Sequence, residues 1–177
     1  MTFGERVVGA MKLEPSAFED VERDPTAISQ AIGVIVLGAL SSGIGWVFYG
    51  GLSGIVTNAL TSIIGILIWS LIVWLVGTKL LPEPTTKADF PETFRVLGFA
   101  SAPQLASFIT IIPILGWLLW IAIMIWQIVA MVVAVKAVLD YSTIGKAAIV
   151  VIIGFIGYVC LMALLGVMGL GARMIMY

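Results

Sequence analysis

The sequence predicts an all-α fold: a polytopic membrane helix bundle of five transmembrane helices, N-terminus inside and C-terminus outside. Three observations predict it. Apolar residues make up 61% of the 177-residue chain and charged residues 11%, against roughly 45–50% and 25% in soluble domains. Charge is absent from residues 26–78, 96–135 and 147–172. The basic residues fall almost entirely on one side once those stretches are threaded through a bilayer. A soluble domain of this size could not cover so much apolar surface. In lipid the backbone must satisfy its own hydrogen bonds, and the period-two alternation of barrel strands is absent, so the spans are helical.

Two regions are expected: a cytoplasmic amphipathic N-terminal tail over 1–26, and a transmembrane domain over 27–177. The tail carries nine charged side chains and does not read as a cleaved signal peptide. Phe3, Val7 and Met11 recur at helical spacing, which predicts a short amphipathic helix on the inner membrane surface. The acidic residues Glu19, Asp20, Glu22 and Asp24 lack the spacing of a calcium loop and read as a solvated polar segment.

A span needs about 20 apolar residues, so the 53-residue run 26–78 holds two. Gly50-Gly51-Leu52-Ser53-Gly54 offers turn chemistry between them, giving spans at about 28–49 and 55–79. The run 96–135 also holds two, at about 93–112 and 114–135, turning at Pro113 and Gly116. Asp89 and Glu92 form a capping-box pattern before the third span, and Pro103 predicts a kink inside it. Ser142 and Thr143 are candidate caps for a fifth span at about 147–170. With this threading, eight of the nine basic residues lie on the side of the N-tail, and Arg173 alone on the other. The positive-inside rule then sets the orientation. A re-entrant hairpin of segments three and four would leave that count unchanged. Trp46, Tyr49 and Trp117 near one interface, and Trp74 and Tyr141 near the other, fit aromatic belts.

Chemistry is bounded mainly by what is missing. There is no histidine, hence no HExxH site and no Ser-His or Cys-His dyad. No phosphate-binding loop of the GxxxxGK[ST] type is present, and the net charge of −1 gives no field for nucleic acid. The single cysteine, Cys160, has no basic neighbour in sequence and reads as packing. No cofactor or metal site is expected. Gln104 and Gln127 are the strongly polar groups expected near mid-depth. The first expectation is that each glutamine bonds the backbone of a neighbouring helix; the alternative is that Gln104, beside the Pro103 kink, lies where a freed carbonyl could line a cavity, and a direct Gln104–Gln127 pair is disfavoured by their depths. Gly98, Ala102 and Ala106 form a small-residue stripe for close helix packing. Lys87, Arg95, Lys136 and Lys146 are the candidates for contact with partners on the inner face.

The order of several features resembles the Yip-domain family of Ypt/Rab-interacting multi-span membrane proteins. The residues that carry the resemblance are Arg95, the pair Ala102-Pro103, Pro113 with Gly116, Trp126, Lys136, the pair Ser142-Thr143, and Lys146-Ala147. They lie in the segments FRVLGFASAP (94–103) and IPILGWLLWIAIMIWQIVAMVVAVKAVLDYSTIGKAA (112–148). The resemblance implies five spans, a cytoplasmic N-terminus and no catalytic activity. The resemblance implies that eukaryotic relatives act in ER–Golgi traffic, bind Rab-type GTPases and assemble with one another; those members have much longer polar cytoplasmic tails. The short tail here implies a prokaryotic-type member in the cytoplasmic membrane and does not carry GTPase binding across. The expected function is a non-enzymatic, self-associating membrane organiser or trafficking-like scaffold whose partners are membrane lipids and copies of itself or related membrane proteins. The alternative is a small permease or channel with a cavity near Pro103 and Gln104.

Overall fold

The computed structural model describes residues 1–43, 47–112 and 115–175, and the side chains of all of these except 47–55, 111 and 167–175. The described residues are helical, with no strand. In chain order they form α1 (Phe3–Met11), α2 (Pro15–Arg23), a 3₁₀ turn (Pro25–Ala27), α3 (Ile28–Gly43) and α4 (Val47–Leu75), which runs into a π turn (Val76–Leu80). Then follow α5 (Phe90–Phe99), a 3₁₀ segment (Ala102–Ile111), α6 (Gly116–Val138) and α7 (Ile144–Ile175).

Among the described residues, four helices, not five, are long and apolar enough to cross a membrane: Pro25–Gly43, Val56–Leu80, Gly116–Val138 and Ile144–Gly166. The expected third span, 93–112, is not a continuous helix. It divides into α5 and the 3₁₀ segment. The cause is Pro103, which brings no N–H to the ladder. The Gln104 N–H then bonds the Ser101 carbonyl at 2.9 Å rather than that of Ala100. The broken segment still runs antiparallel along α6: Ala100 is bonded to Gln127, and a Cβ on Gly116 would collide with the Thr110 carbonyl. Only glycine lets the chain turn that closely.

A second correction concerns the first turn. Residues 50–54 are helical, inside α4, rather than a turn; residues 44–46, between α3 and α4, lie outside the described residues. In a nonpolar setting, flexible residues need not leave the helix, because no water competes for their backbone groups. Trp46 and Pro113 lie outside the described residues, and the side chains of Tyr49, Ser53 and Arg173 outside the described side chains.

The capping patterns before α5 and α7 are both present. Asp89 and Glu92 form the reciprocal capping box of α5, and the Thr143 hydroxyl accepts from the Lys146 N–H at 3.4 Å. Thr2 and Glu5 cap α1 in the same way.

The core centres on α5. Residues 93–103 are all buried, so this stretch is enclosed by protein around its whole circumference. Gly98 makes that possible: a Cβ there would lie 2.9 Å from the Ala31 Cβ of α3. Against α5 pack α2, α3, α4 and α6, with Phe18, Val21, Leu97 and Phe99 fully buried.

Candidate functional site

The break after α5 leaves the Ala100 carbonyl without its helical partner. In an apolar interior such a group costs several kcal/mol. Gln127 of α6 supplies the replacement: its Nε2 donates to the Ala100 oxygen at 2.9 Å. Ser41 of α3 secures the 3₁₀ segment further on. Its Oγ donates to the Leu105 carbonyl at 2.8 Å and accepts from the Phe108 N–H at 2.9 Å. Ten residues of 3₁₀ helix are uncommon, and these two side chains hold this run in place.

Beside the break lies a cavity of about 570 Å³, within the about 300–1,000 Å³ range of small-molecule sites. It is framed by α3, the 3₁₀ segment, α4, α6 and α7. The lining is mostly apolar and contains no Asp, Glu, Lys or Arg. Its polar groups are few. The Gln104 amide and the Tyr158 hydroxyl have no hydrogen-bond partner among the described residues. At the wall, Trp69 Nε1 and Gln127 Oε1 are buried and likewise unpartnered among the described residues. The Trp69 and Tyr158 rings meet edge to face at 6.2 Å. The arrangement can offer hydrogen bonds to a neutral group and has no charge with which to hold or relay an ion.

A second cavity, of about 470 Å³, lies between α2 and the end of α6 and is lined in part by Glu19, Glu22, Arg23, Lys136, Asp140 and Tyr141. Burial pushes the Glu22 carboxyl up to about 7, with Asp140 and Glu92 adding to the rise. Burial likewise raises the Tyr141 hydroxyl to about 12, with a smaller contribution from Glu83. That hydroxyl donates to the carbonyls of Leu81 at 2.8 Å and Gly77 at 3.2 Å, across the π turn. Thr85 and Thr86 donate to the carbonyls of Asp140 and Leu139. Glu83 accepts from Ser142 and pairs with Lys146 at 3.3 Å. The 81–89 and 139–143 connections are therefore stitched into one layer.

A model of the Yip1 domain matches residues 9–164. The chain belongs to the Yip1 domain family. No curated protein and no solved structure matches it. With four apolar helices of crossing length, this Yip1 chain is an integral membrane protein.

The family resemblance rested on residues that now have positions. Arg95 is buried, at 4% exposure. Its guanidinium donates to the Glu22 carbonyl at 2.7 Å and the Val21 carbonyl at 3.4 Å, a cation at the open end of α2. It was expected as an inner-face contact and is instead an internal tie, because α2 covers it. Trp126 donates to the Met11 carbonyl at 2.9 Å, closing α1 in the same manner. Lys146 lies 5.1 Å from the Tyr141 ring centroid. Lys87 is exposed and Lys136 half-buried beside the inner cavity.

Gln104 and Gln127 share the cavity beside the break, and their amides are not bonded to each other. Pro103 and Ala102 are buried beside it, while Ala106 is half-buried. Sequence reading passed over Trp69 and Tyr158, which look like ordinary aromatic residues of apolar helices. It also passed over Asn58, which donates to the Ala39 carbonyl at 2.9 Å and to Ser42 at 3.2 Å. A lone amide in an apolar run is a readable signal. Which aromatic residues line a cavity depends on packing.

The acidic run is only partly solvated. Asp20 and Asp24 hold Arg6 at 2.7 and 2.8 Å, and Gln30 accepts from it at 2.9 Å. The Asp24 carboxyl is held at about 2, first by hydrogen bonds from Thr26 and next by Arg6.

Proposed function

We propose that this Yip1-family chain is a non-enzymatic membrane organiser that presents a stiff inner platform to partners and associates with further copies of itself. The observation that carries the reading is the layer at one end of the bundle. The α1–α2 hairpin, the 81–89 connection and the 139–143 turn are tied to the helix ends by side-chain bonds to backbone carbonyls. Such a layer keeps its shape without a partner and can be recognised as a surface. Eight of nine basic residues belong to this end or its flanks, so it faces the cytoplasm of a prokaryotic-type cell. Rab-type GTPase binding, if it extends to this member, would use the same platform, since α1 and α2 are folded into the bundle.

The orientation is tested with Cys160→Ala as background and single cysteines at Lys87 and Leu115, both exposed. A membrane-impermeant maleimide added outside intact cells should label Leu115→Cys and spare Lys87→Cys. Labelling of both from one side would overturn the arrangement. Self-association is tested by native mass spectrometry from lipid nanodiscs, where a purely monomeric species would remove that part of the reading. The second reading, a small permease, is favoured by the cavity beside Pro103 and Gln104. The absence of charged lining residues weighs against ion coupling.

A further inference from the structure

We propose that the mid-depth cavity is a binding site for a neutral, hydroxyl-bearing lipid of the diglyceride type, with its polar end at Gln104. The inference goes beyond the organiser role and does not depend on it.

The cavity's mouth decides what can enter. Ile128, Ile152, Phe155 and Ile156 line it, and each is between 50% and 61% exposed. The opening is therefore lateral, toward hydrocarbon, between α6 and α7. Depth decides the head group. Trp69 stands ten residues before Lys79 on α4 and its turn, about 15 Å at 1.5 Å per residue. That is the middle of an about 30 Å hydrocarbon core. A phospholipid would have to draw its phosphate to that depth, where no cation waits for it. A diglyceride has no phosphate, and its hydroxyl and ester groups can sink that far.

Polar chemistry decides selectivity. An alkyl chain gains little by leaving lipid tails for an apolar cavity, since both are hydrocarbon. The difference must come from hydrogen bonds. The Gln104 amide offers two donors and an acceptor, open to the cavity and without a partner among the described residues. The Tyr158 hydroxyl on the facing helix is equally free. A ligand that carries both a hydroxyl donor and ester carbonyl acceptors satisfies the amide in both senses.

The test uses the full chain in phosphatidylcholine vesicles containing a diazirine- and alkyne-tagged diacylglycerol. After irradiation, tagged peptides are mapped by mass spectrometry. Adducts should concentrate on the lining around Gly65–Trp69 and Phe155, and excess untagged diacylglycerol should suppress them. Gln104→Leu should lower this labelling about fivefold, as for the loss of one hydrogen bond, with an unchanged thermal unfolding curve. Should that variant not fold, Tyr158→Phe and the competition on the unaltered chain take its place, with the same direction expected. Equal labelling by a diazirine phosphatidylcholine, or no suppression by untagged diacylglycerol, means ordinary boundary lipid and overturns the proposal. Reaction of Gly65→Cys, in the Cys160→Ala background, with a water-soluble maleimide would show a water-filled cavity and overturn it as well.

Discussion

Helices α2 and α7 divide the labour of folding in opposite ways. The sequence of α2 is half charged, yet Ala17, Phe18 and Val21 are wholly buried and its carbonyls are gripped by Arg95. The sequence of α7 is almost wholly apolar beyond Lys146, yet Ile152, Phe155, Ile156 and Leu164 stay exposed. In water the assignment would be reversed. In lipid, apolar surface has no reason to hide, and what goes inside is small or polar. Hydropathy therefore locates the membrane, and small residues and hydrogen-bonding side chains locate the core.

That contrast predicts where substitutions hurt. The largest effect should come from Arg95→Ala, which strips two charge-assisted bonds from the end of α2 and leaves buried carbonyls bare. A loss of roughly 2–4 kcal/mol is expected, read as a lower unfolding temperature in detergent. Proteolysis at Arg23 should also become fast. An unchanged cleavage pattern would mean that α2 is held by apolar contacts alone. Next comes a matched pair. Ala102→Leu forces a larger side chain into a site with no exposure and should cost about 1–3 kcal/mol. The same change at Ala163 on α7, which is exposed, should stay within about 0.5 kcal/mol. Equal effects would break the comparison.

The smallest effect is one of pH. The Glu22 carboxyl, raised to about 7 from an ordinary 4.5, binds its proton more tightly in the folded chain. Its folded form is therefore favoured below pH 4.5, and that advantage is lost as pH rises from 4.5 through 7. Asp24, held at about 2, works the other way: its contribution is present above 3.8 and is lost as pH falls toward 2. Unfolding of the α1–α2 hairpin, followed by hydrogen exchange, should become easier between pH 4.5 and 7. Glu22→Gln should flatten that slope. A slope that survives the substitution would assign it to another group.

Much of the architecture was legible in the sequence. The charge-free runs announced helices in lipid, and Pro103 announced a disturbance where the third span divides. The capping pairs at Asp89 and Thr143 were readable because a cap is a local geometry fixed by residues three apart. Residues 50–54 are helical, although Gly50–Gly54 looks like a turn to any rule learned in water. Gln104 and Gln127 stood out as lone amides in apolar helices, and both line the cavity. Their neighbours Trp69 and Tyr158 did not stand out, since nothing local separates a lipid-facing aromatic residue from one that lines a cavity.

The sequence by itself determined the class of solvent, the helical state and the family, because these follow from composition, hydropathy and spacing along the chain. The tertiary structure decided the rest. It converted the expected third span into a broken segment, buried over residues 93–103. It turned Arg95 from a surface charge into the tie for α2, and it folded a polar N-terminal stretch into the core. The physical reason is the same in each case. A freed carbonyl or a buried guanidinium finds its partner across tens of residues, as Ala100 finds Gln127 and Arg95 finds Glu22. No pattern along the chain records which partner that is.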